Sequence, residues 1–394
     1  VRTAEVVVVG GGVEGLSIAY ALCDRGRRDV LVLERDMIGS GFTAKSSGIV
    51  RCHYGVRSLA AMAWRSLAVL EDAETALGAD IGFHRCGYLV GVGPDDSDAL
   101  AANLAMQREI GVDVTTITPD EAAELFPQMR VDDFAAFGFE PRGGYADGYQ
   151  TAAAFAAASR RGGAEIVQGC GVKELLTSGE KVTGVLTADG ERVSAGCVVV
   201  AAGPWSSDLV GDVGVELPLR AMREQLMVVD PGGTLGEVPV LSDLVSLQYL
   251  RPERTTDLLV GNSDHHDPEW VDPDRYDNTL DDDFAVAAIE KFSHRFPGLS
   301  EASLSSSYAG CYDVTPDYNP VMGPTPLDGL YLCAGFSGHG YKISPAVGVL
   351  MADILCDGAS RDPDVEGDDF RLGRFDEGAL LVSPHPYLGA PEMR

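Results

Sequence analysis

The chain opens on an unbroken β-branched run, Val6-Val7-Val8-Val9, the pattern of a strand covered on both faces. It gives way to a glycine cluster and then to Leu16-Ser17-Ile18-Ala19-Tyr20-Ala21-Leu22, whose apolar spacing predicts a helix, before Val30-Leu31-Val32-Leu33 returns to a strand. Further on, Leu59, Met62, Ala63, Leu67 and Leu70 recur at helical spacing and predict one long helix over 57–76. A strand is expected over 86–92, a polar helix over 97–110, and a helix start at Thr118-Pro119-Asp120-Glu121, where proline suits the first turn. An alanine-rich helix follows over 151–161. Short strands are then expected at 164–167, 172–176, 182–186 and 192–193, with a separate buried strand from Cys197 to Ala202. Period-two alternation predicts strands near 225–229, 248–251 and 258–261, and helical spacing predicts a helix near 284–296. The last block is a strand at 329–334, a glycine turn and a helix reaching about Leu355.

The order strand, helix, strand at both ends, with β-rich stretches between, predicts an α/β chain of two interleaved units. A Rossmann-like nucleotide-binding domain is expected from 1–82, 145–215 and 310–380. A β-rich (α+β) substrate-binding domain is expected from 83–144 and 216–309, and 381–394 is read as a C-terminal tail.

The glycine cluster carries the first chemistry. Gly10, Gly12 and Gly15 meet the G-x-G-x-x-G spacing at the carboxyl end of a strand. Gly10 allows the tight turn, Gly12 lets backbone approach a pyrophosphate, and Gly15 lets the helix pack close to the strand, whose unpaired first-turn amides face the phosphates. Glu34 closes the next strand, where a carboxylate accepts from both ribose hydroxyls and repels a 2′-phosphate. The fingerprint alone does not separate FAD from NAD.

Sixty acidic against thirty basic residues give a formal charge of −30, which argues against nucleic acid or an anionic membrane as a partner. The eight cysteines include no C-x-x-C pair, no apolar stretch approaches eighteen residues, and no basic leader is seen, so a reduced cytoplasmic protein is expected. His265-His266 suggests a metal pair only superficially, because neighbours on a strand face opposite ways and no third ligand is apparent. No metal is expected.

Three separated blocks together resemble the D-amino acid oxidase superfamily of FAD enzymes, in particular its sarcosine oxidase and glycine oxidase branch. They are Gly10-x-Gly12-x-x-Gly15, Ala201-Ala202-Gly203-Pro204-Trp205-Ser206, and the pair Tyr312-Asp313-Val314-Thr315-Pro316-Asp317 with Gly335-Phe336-Ser337-Gly338-His339-Gly340-Tyr341-Lys342. The resemblance spans essentially the whole chain and implies FAD. Cofactor contacts are then expected from Gly10, Gly12, Val13, Glu14, Gly15, Glu34 and Arg35; from Thr43, Ser46, Ser47 and Gly48 in the following loop; from Val172, Ala202, Gly203 and Trp205; and from Gly310, Gly338, His339, Gly340, Tyr341 and Lys342. The glycines at 335, 338 and 340 bring a second helix start, with roughly half a positive charge, toward the redox ring.

By the same resemblance, Arg51 and Lys342 match the arginine and lysine that grip a substrate carboxylate, and Tyr312 matches a tyrosine on the substrate side of the ring. Tyr54 either joins it or is simply packed. His339 either bonds the flavin or caps its helix, and His53 reads as a packed side chain. The cysteine that tethers flavin in monomeric sarcosine oxidase aligns with Gly310, one step from Cys311, and one step along a strand reverses a side chain. Non-covalent FAD is therefore expected, with a Cys311 link left open. The branch's oxygen-activating lysine falls near Leu259, which leaves the electron acceptor open between O2, the expected one, and a protein partner. The implied activity is oxidation of the C–N bond of glycine or an N-substituted glycine to an imine. The alternatives are an FAD-bearing subunit passing electrons to a partner, and a NAD-linked dehydrogenase.

Overall fold

The computed structural model describes residues 2–253, 256–388 and 390; the rest of the expected tail, 389 and 391–394, lies outside them. The β-branched runs assemble into a largely parallel layer. Arg2–Val9 lies between Val30–Leu33 and Arg192–Val200, in register Val9 to Leu33 on one side and Val9 to Val200 on the other. Glu165–Val167 extends one edge, Leu330–Ala334 pairs in parallel with residues 198–200, and Val321–Pro324 runs antiparallel to it.

Residues 192–200 form one continuous strand, not the two short ones expected. Its first residues complete an antiparallel ribbon with Lys181–Thr187 while residues 193–200 pair with Arg2–Val9, so the two expected strands are one.

One face of the layer is covered by Val13–Asp24, Gly148–Gly162 and Gly340–Asp357, with Arg57–Leu70 stacked beyond. The first and last of these touch closely: the Ser17 hydroxyl donates to the Ser344 carbonyl at 2.7 Å, and a Cβ on Gly348 would stand 2.3 Å from Ser17 Oγ. The predicted 57–76 helix is two, Arg57–Leu70 and Ala73–Leu77, broken at the acidic pair Glu71-Asp72.

A second sheet gathers the two β-rich stretches. Its order is Ser303–Val314, Arg220–Asp230, Asp257–Asn262, Gln248–Glu253, Val240–Asp243, Tyr88–Val92, Ala136–Glu140 and Thr115–Ile117 among the described residues. Val240–Asp243, a strand with no expectation from its pattern, lies parallel to Tyr88–Val92 and sews the stretches together. The fully buried Arg295 locks the same seam, bonding Asp243 at 2.8 Å and Asp133 at 2.6 Å. Ser303–Val314 was likewise hidden, by its serine-rich start; the long ladder with Arg220–Asp230 overrides that local polarity and runs straight through residue 310.

Thr118 closes a capping box with Glu121, as the Thr-Pro-Asp-Glu start suggested. A small sheet of Ile49–Val50, Gly144–Tyr145 and His84–Arg85 then sets the direction of the chain just before Arg51.

Candidate active site

Between the two sheets lies a cavity of about 590 Å3, and against it a chamber of about 60 Å3. Ser47, Tyr249, Tyr312 and Gly338 wall both.

The fingerprint side of the cavity is backbone geometry. Gly10 has φ +111° and a Cβ there would meet the Ala201 carbonyl at 2.3 Å; a Cβ on Gly15 would meet the Gly10 carbonyl at 2.1 Å. Gly12 caps the first helix without any side-chain bond and borders the cavity with Val13 and Glu14; the Val13 amide donates to Thr43 Oγ1 at 3.1 Å, leaving the next amides of the first turn for an anion. Glu34 is held rigid, its two oxygens accepting from the amides of Gly11 at 2.7 Å and Asp36 at 2.8 Å. Arg35 lies 3.9 Å over the Trp205 ring, which stacks on Phe42 at 5.3 Å. Thr43, Ser46, Ser47, Val172, Ala202, Gly203, Trp205 and Gly310 all line the same cavity. Gly15 and Gly48 do not. They work one layer back: Gly48 has φ +69°, and a Cβ would fall 1.9 Å from the Ala146 carbonyl.

Beside the fingerprint, the second helix starts at Gly340 with His339 in the cap position and no side-chain capping bond. Gly338, Gly340 and Tyr341 border the cavity, and a Cβ on Gly338 would press into the Tyr312 ring at 2.7 Å. The turn is pinned from below by Asp313, which accepts from the amides of Gly335 at 2.7 Å and Phe336 at 3.2 Å; burial lifts its carboxyl to about 6. The Glu14 carboxyl lies against Gly340, both oxygens buried without a partner among the described residues, and burial followed by the nearby Asp313 pushes it well above the carboxylate range. His339 Nδ1 is also buried without a partner there. Burial first, then Lys342 and Arg51, hold that ring neutral.

The chamber collects the expected cations. Arg51 and Lys342 both line it and both are nearly buried, 6% and 7% exposed. Lys342 Nζ donates to the Gly338 carbonyl at 3.2 Å, and Arg51 donates to the His53 carbonyl. Tyr54 lines neither cavity. Its ring lies under the Arg51 guanidinium at 4.6 Å and its edge meets His339 at 5.3 Å, so it supports the arginine from beneath.

His53 is a packed side chain, bonded to Tyr387 at 2.9 Å and to Gln107 at 3.2 Å and driven by burial down to about 3. Beside it, the buried Glu140 takes the Cys52 amide at 2.7 Å, and burial lifts its carboxyl to about 7.

Leu259 is packed in the core, but a different lysine reaches the cavity wall. Lys45 lies beside Gly310 and donates to Asn278 at 2.7 Å and the Ala309 carbonyl at 3.0 Å, with its charge disfavoured by burial. Nothing in its small-polar loop marked it. Cys311 and Gly310 both border the cavity but oppose different partners, Arg223 and Glu224, on alternate sides of the pleat. Burial pushes the Cys311 thiol up to about 12. The His265-His266 doublet splits: His265 is buried in the chamber wall, 2.8 Å from Glu224, while His266 is exposed and pairs with Asp264 at 2.7 Å. The described residues contain no group of three or more potential ligands that could hold a metal, and no helix long and apolar enough to cross a membrane.

A cavity of about 590 Å3 bordered by two helix starts, with the Glu34 carboxylate in its wall and orphaned polar atoms beside the second start, is that of a dinucleotide-binding oxidoreductase, and these residues fit a flavin dinucleotide. The chain belongs to the FAD-dependent oxidoreductase family, which it matches over residues 5–354. It is 30% identical to FAD-dependent oxidoreductase domain-containing protein 1 of Xenopus laevis, over 93% of this chain and 82% of that one. It is 29% identical to the sarcosine oxidase subunit beta of an Arthrobacter species, over 96% and 93%. The crystal structure of L-proline dehydrogenase from P. horikoshii superposes with a TM-score of 0.87 at 28% identity, covering 96% of this chain and 99% of that one. The cofactor is FAD.

Proposed function

We propose that the protein oxidises the C–N bond of a small amino acid with a primary or secondary amine, glycine or an N-substituted glycine such as sarcosine, to an imine that water hydrolyses to a carbonyl compound and an amine. The observation that carries this reading is the pair Arg51 and Lys342 buried in a chamber of about 60 Å3 beside the cofactor cavity, the room of roughly four to six waters. Two cations lining one small space suit a carboxylate, which a planar guanidinium and a point-charged ammonium orient together. Gripping it turns the substrate carbon toward the larger cavity across the shared wall of Tyr312 and Gly338. Bound FAD supplies the chemistry by accepting a hydride equivalent from that carbon.

Non-covalent FAD is supported by the protonated, buried Cys311 thiol. Likeness to a sarcosine oxidase subunit supports the substrate class, with O2 as acceptor. A second reading, a dehydrogenase that passes electrons to a protein partner, is favoured by the likeness to L-proline dehydrogenase. Anaerobic mixing of the yellow protein with sarcosine, glycine, other N-alkyl glycines and L-proline tests the reading: the flavin band bleaches with at least one. Arg51→Ala and Lys342→Ala should each weaken that substrate about ten- to a hundredfold; bleaching as readily as the parent at low substrate overturns the grip. Admitting air separates the acceptors, since an oxidase regains colour at once.

A further inference from the structure

The chamber has a second pole. Glu224 sits in the middle of the Arg220–Asp230 strand and borders the cofactor cavity; His265 follows the Asp257–Asn262 strand and borders the chamber. His265 Nε2 is 2.8 Å from Glu224 Oε1, with side chains 4% and 6% exposed, so the pair straddles the boundary between the two spaces. The imidazole is held in orientation by rings, parallel to Tyr318 and edge-on to Tyr312, each at 6.2 Å. Among the described residues, the chamber wall carries the charged groups Arg51 and Lys342 and no carboxylate. Glu224, reached through His265, is the negative counterpart.

We propose that Glu224 and His265 form the amine-receiving end of the chamber, taking the proton from the ammonium of a zwitterionic substrate whose carboxylate lies on Arg51 and Lys342. This rests on the amine-oxidising reading above. An α-amino acid arrives as a zwitterion, and its carbon cannot lose a hydride while the nitrogen lone pair is occupied by a proton. In the step assigned here the substrate N–H bond breaks, its electron pair stays on nitrogen, and the proton forms a new N–H bond on a ring nitrogen of His265. Glu224 stabilises the imidazolium so formed, and the pair goes from a net charge of −1 to zero. His265 is then a catalytic residue, and Glu224 is the positioning residue behind it.

Other groups face His265 as well. Tyr312 and Tyr318 flank its ring, Tyr249, Arg51 and Lys342 share its chamber, and the neutral His339 stands across from it. The two cations oppose an imidazolium, and the Glu224 carboxylate offsets them.

The test uses the flavin-loaded full-length protein. Its anaerobic reduction by sarcosine, glycine and L-proline is followed from pH 6 to 10, alongside spectral titration with 2-methoxyacetate, a carboxylate with an ether in place of the amine. In Glu224→Gln, reduction at pH 7 should fall about a hundredfold and recover toward the parent at pH 10, where far more of the free amine is already neutral; His265→Asn should behave alike. Methoxyacetate should bind both variants at least as tightly as the parent, because it brings no proton. An unchanged pH profile, or an equal loss of reduction and of methoxyacetate binding at every pH, overturns the assignment. Failure of both variants to take up flavin also overturns it, by making the pair part of the cofactor cradle. If the parent is bleached by none of the amines while methoxyacetate still binds, it is the amine-oxidising reading that falls, and this inference with it.

Discussion

The nucleotide fingerprint and the chamber are built in opposite ways. At the fingerprint, Gly10, Gly12, Gly15 and Glu34 come from one short stretch: Gly10 and Gly15 act through backbone that a side chain would obstruct, and the Glu34 carboxylate is held by the Gly11 amide. At the chamber end, Arg51, Glu224, His265, Tyr312 and Lys342 come from five separated places, and each acts through a side chain placed by packing. A phosphate is recognised by amides that any helix start supplies, whereas a small zwitterion needs charges fixed at two poles, which no contiguous segment can present in a closed space. The first end is therefore robust to everything except added volume. The second depends on the rest of the fold.

The largest effect should come from added volume at the fingerprint. Gly15→Val places atoms within 2.1 Å of the Gly10 carbonyl, so the variant should purify colourless or not fold; a yellow protein with parental FAD affinity would break the contrast. Arg295→Ala should strike only the β-rich side. It strips Asp243 and Asp133 of their shared partner and should cost about 3–5 kcal/mol in denaturant unfolding, with flavin still bound in the folded fraction.

Glu140→Gln sharpens the contrast through pH. Burial raises the Glu140 carboxyl from 4.5 to about 7 in the folded protein, so the folded state keeps the proton longer than the unfolded one. The stability this contributes is fully present below about pH 4.5 and lost as pH rises through about 7. The variant should gain on the parent by on the order of 3 kcal/mol between pH 4.5 and 8, read from paired unfolding curves. A pH-independent gap would mean that Glu140 does not titrate in that window. The smallest effect is expected under Arg51: Tyr54→Phe keeps the ring and should leave substrate affinity unchanged, while Tyr54→Leu should weaken it by about 1 kcal/mol.

Legibility followed the same divide. The 97–110 helix and the capped start at Thr118 were readable because their cues are local. The Val240–Asp243 and Ser303–Val314 strands were not, since short or serine-rich segments become strands through the ladders beside them. Arg51 and Lys342 were legible as candidates by resemblance, but Tyr54 turned out to lie beneath the guanidinium. Lys45 gave no sign in its loop of reaching the cavity wall. His265 looked like half of an unpromising doublet until Glu224, 41 positions earlier, was seen at 2.8 Å.

What the amino-acid order determined by itself was the nucleotide end: strand, glycine turn, helix and acid follow from steric rules acting over a few residues, and they needed no distant partner to be meaningful. The tertiary structure decided the polarity of the substrate chamber. Charge and proton affinity in a buried space depend on which groups are brought within a few ångströms and kept from water, and that proximity is created only when the two sheets close on each other.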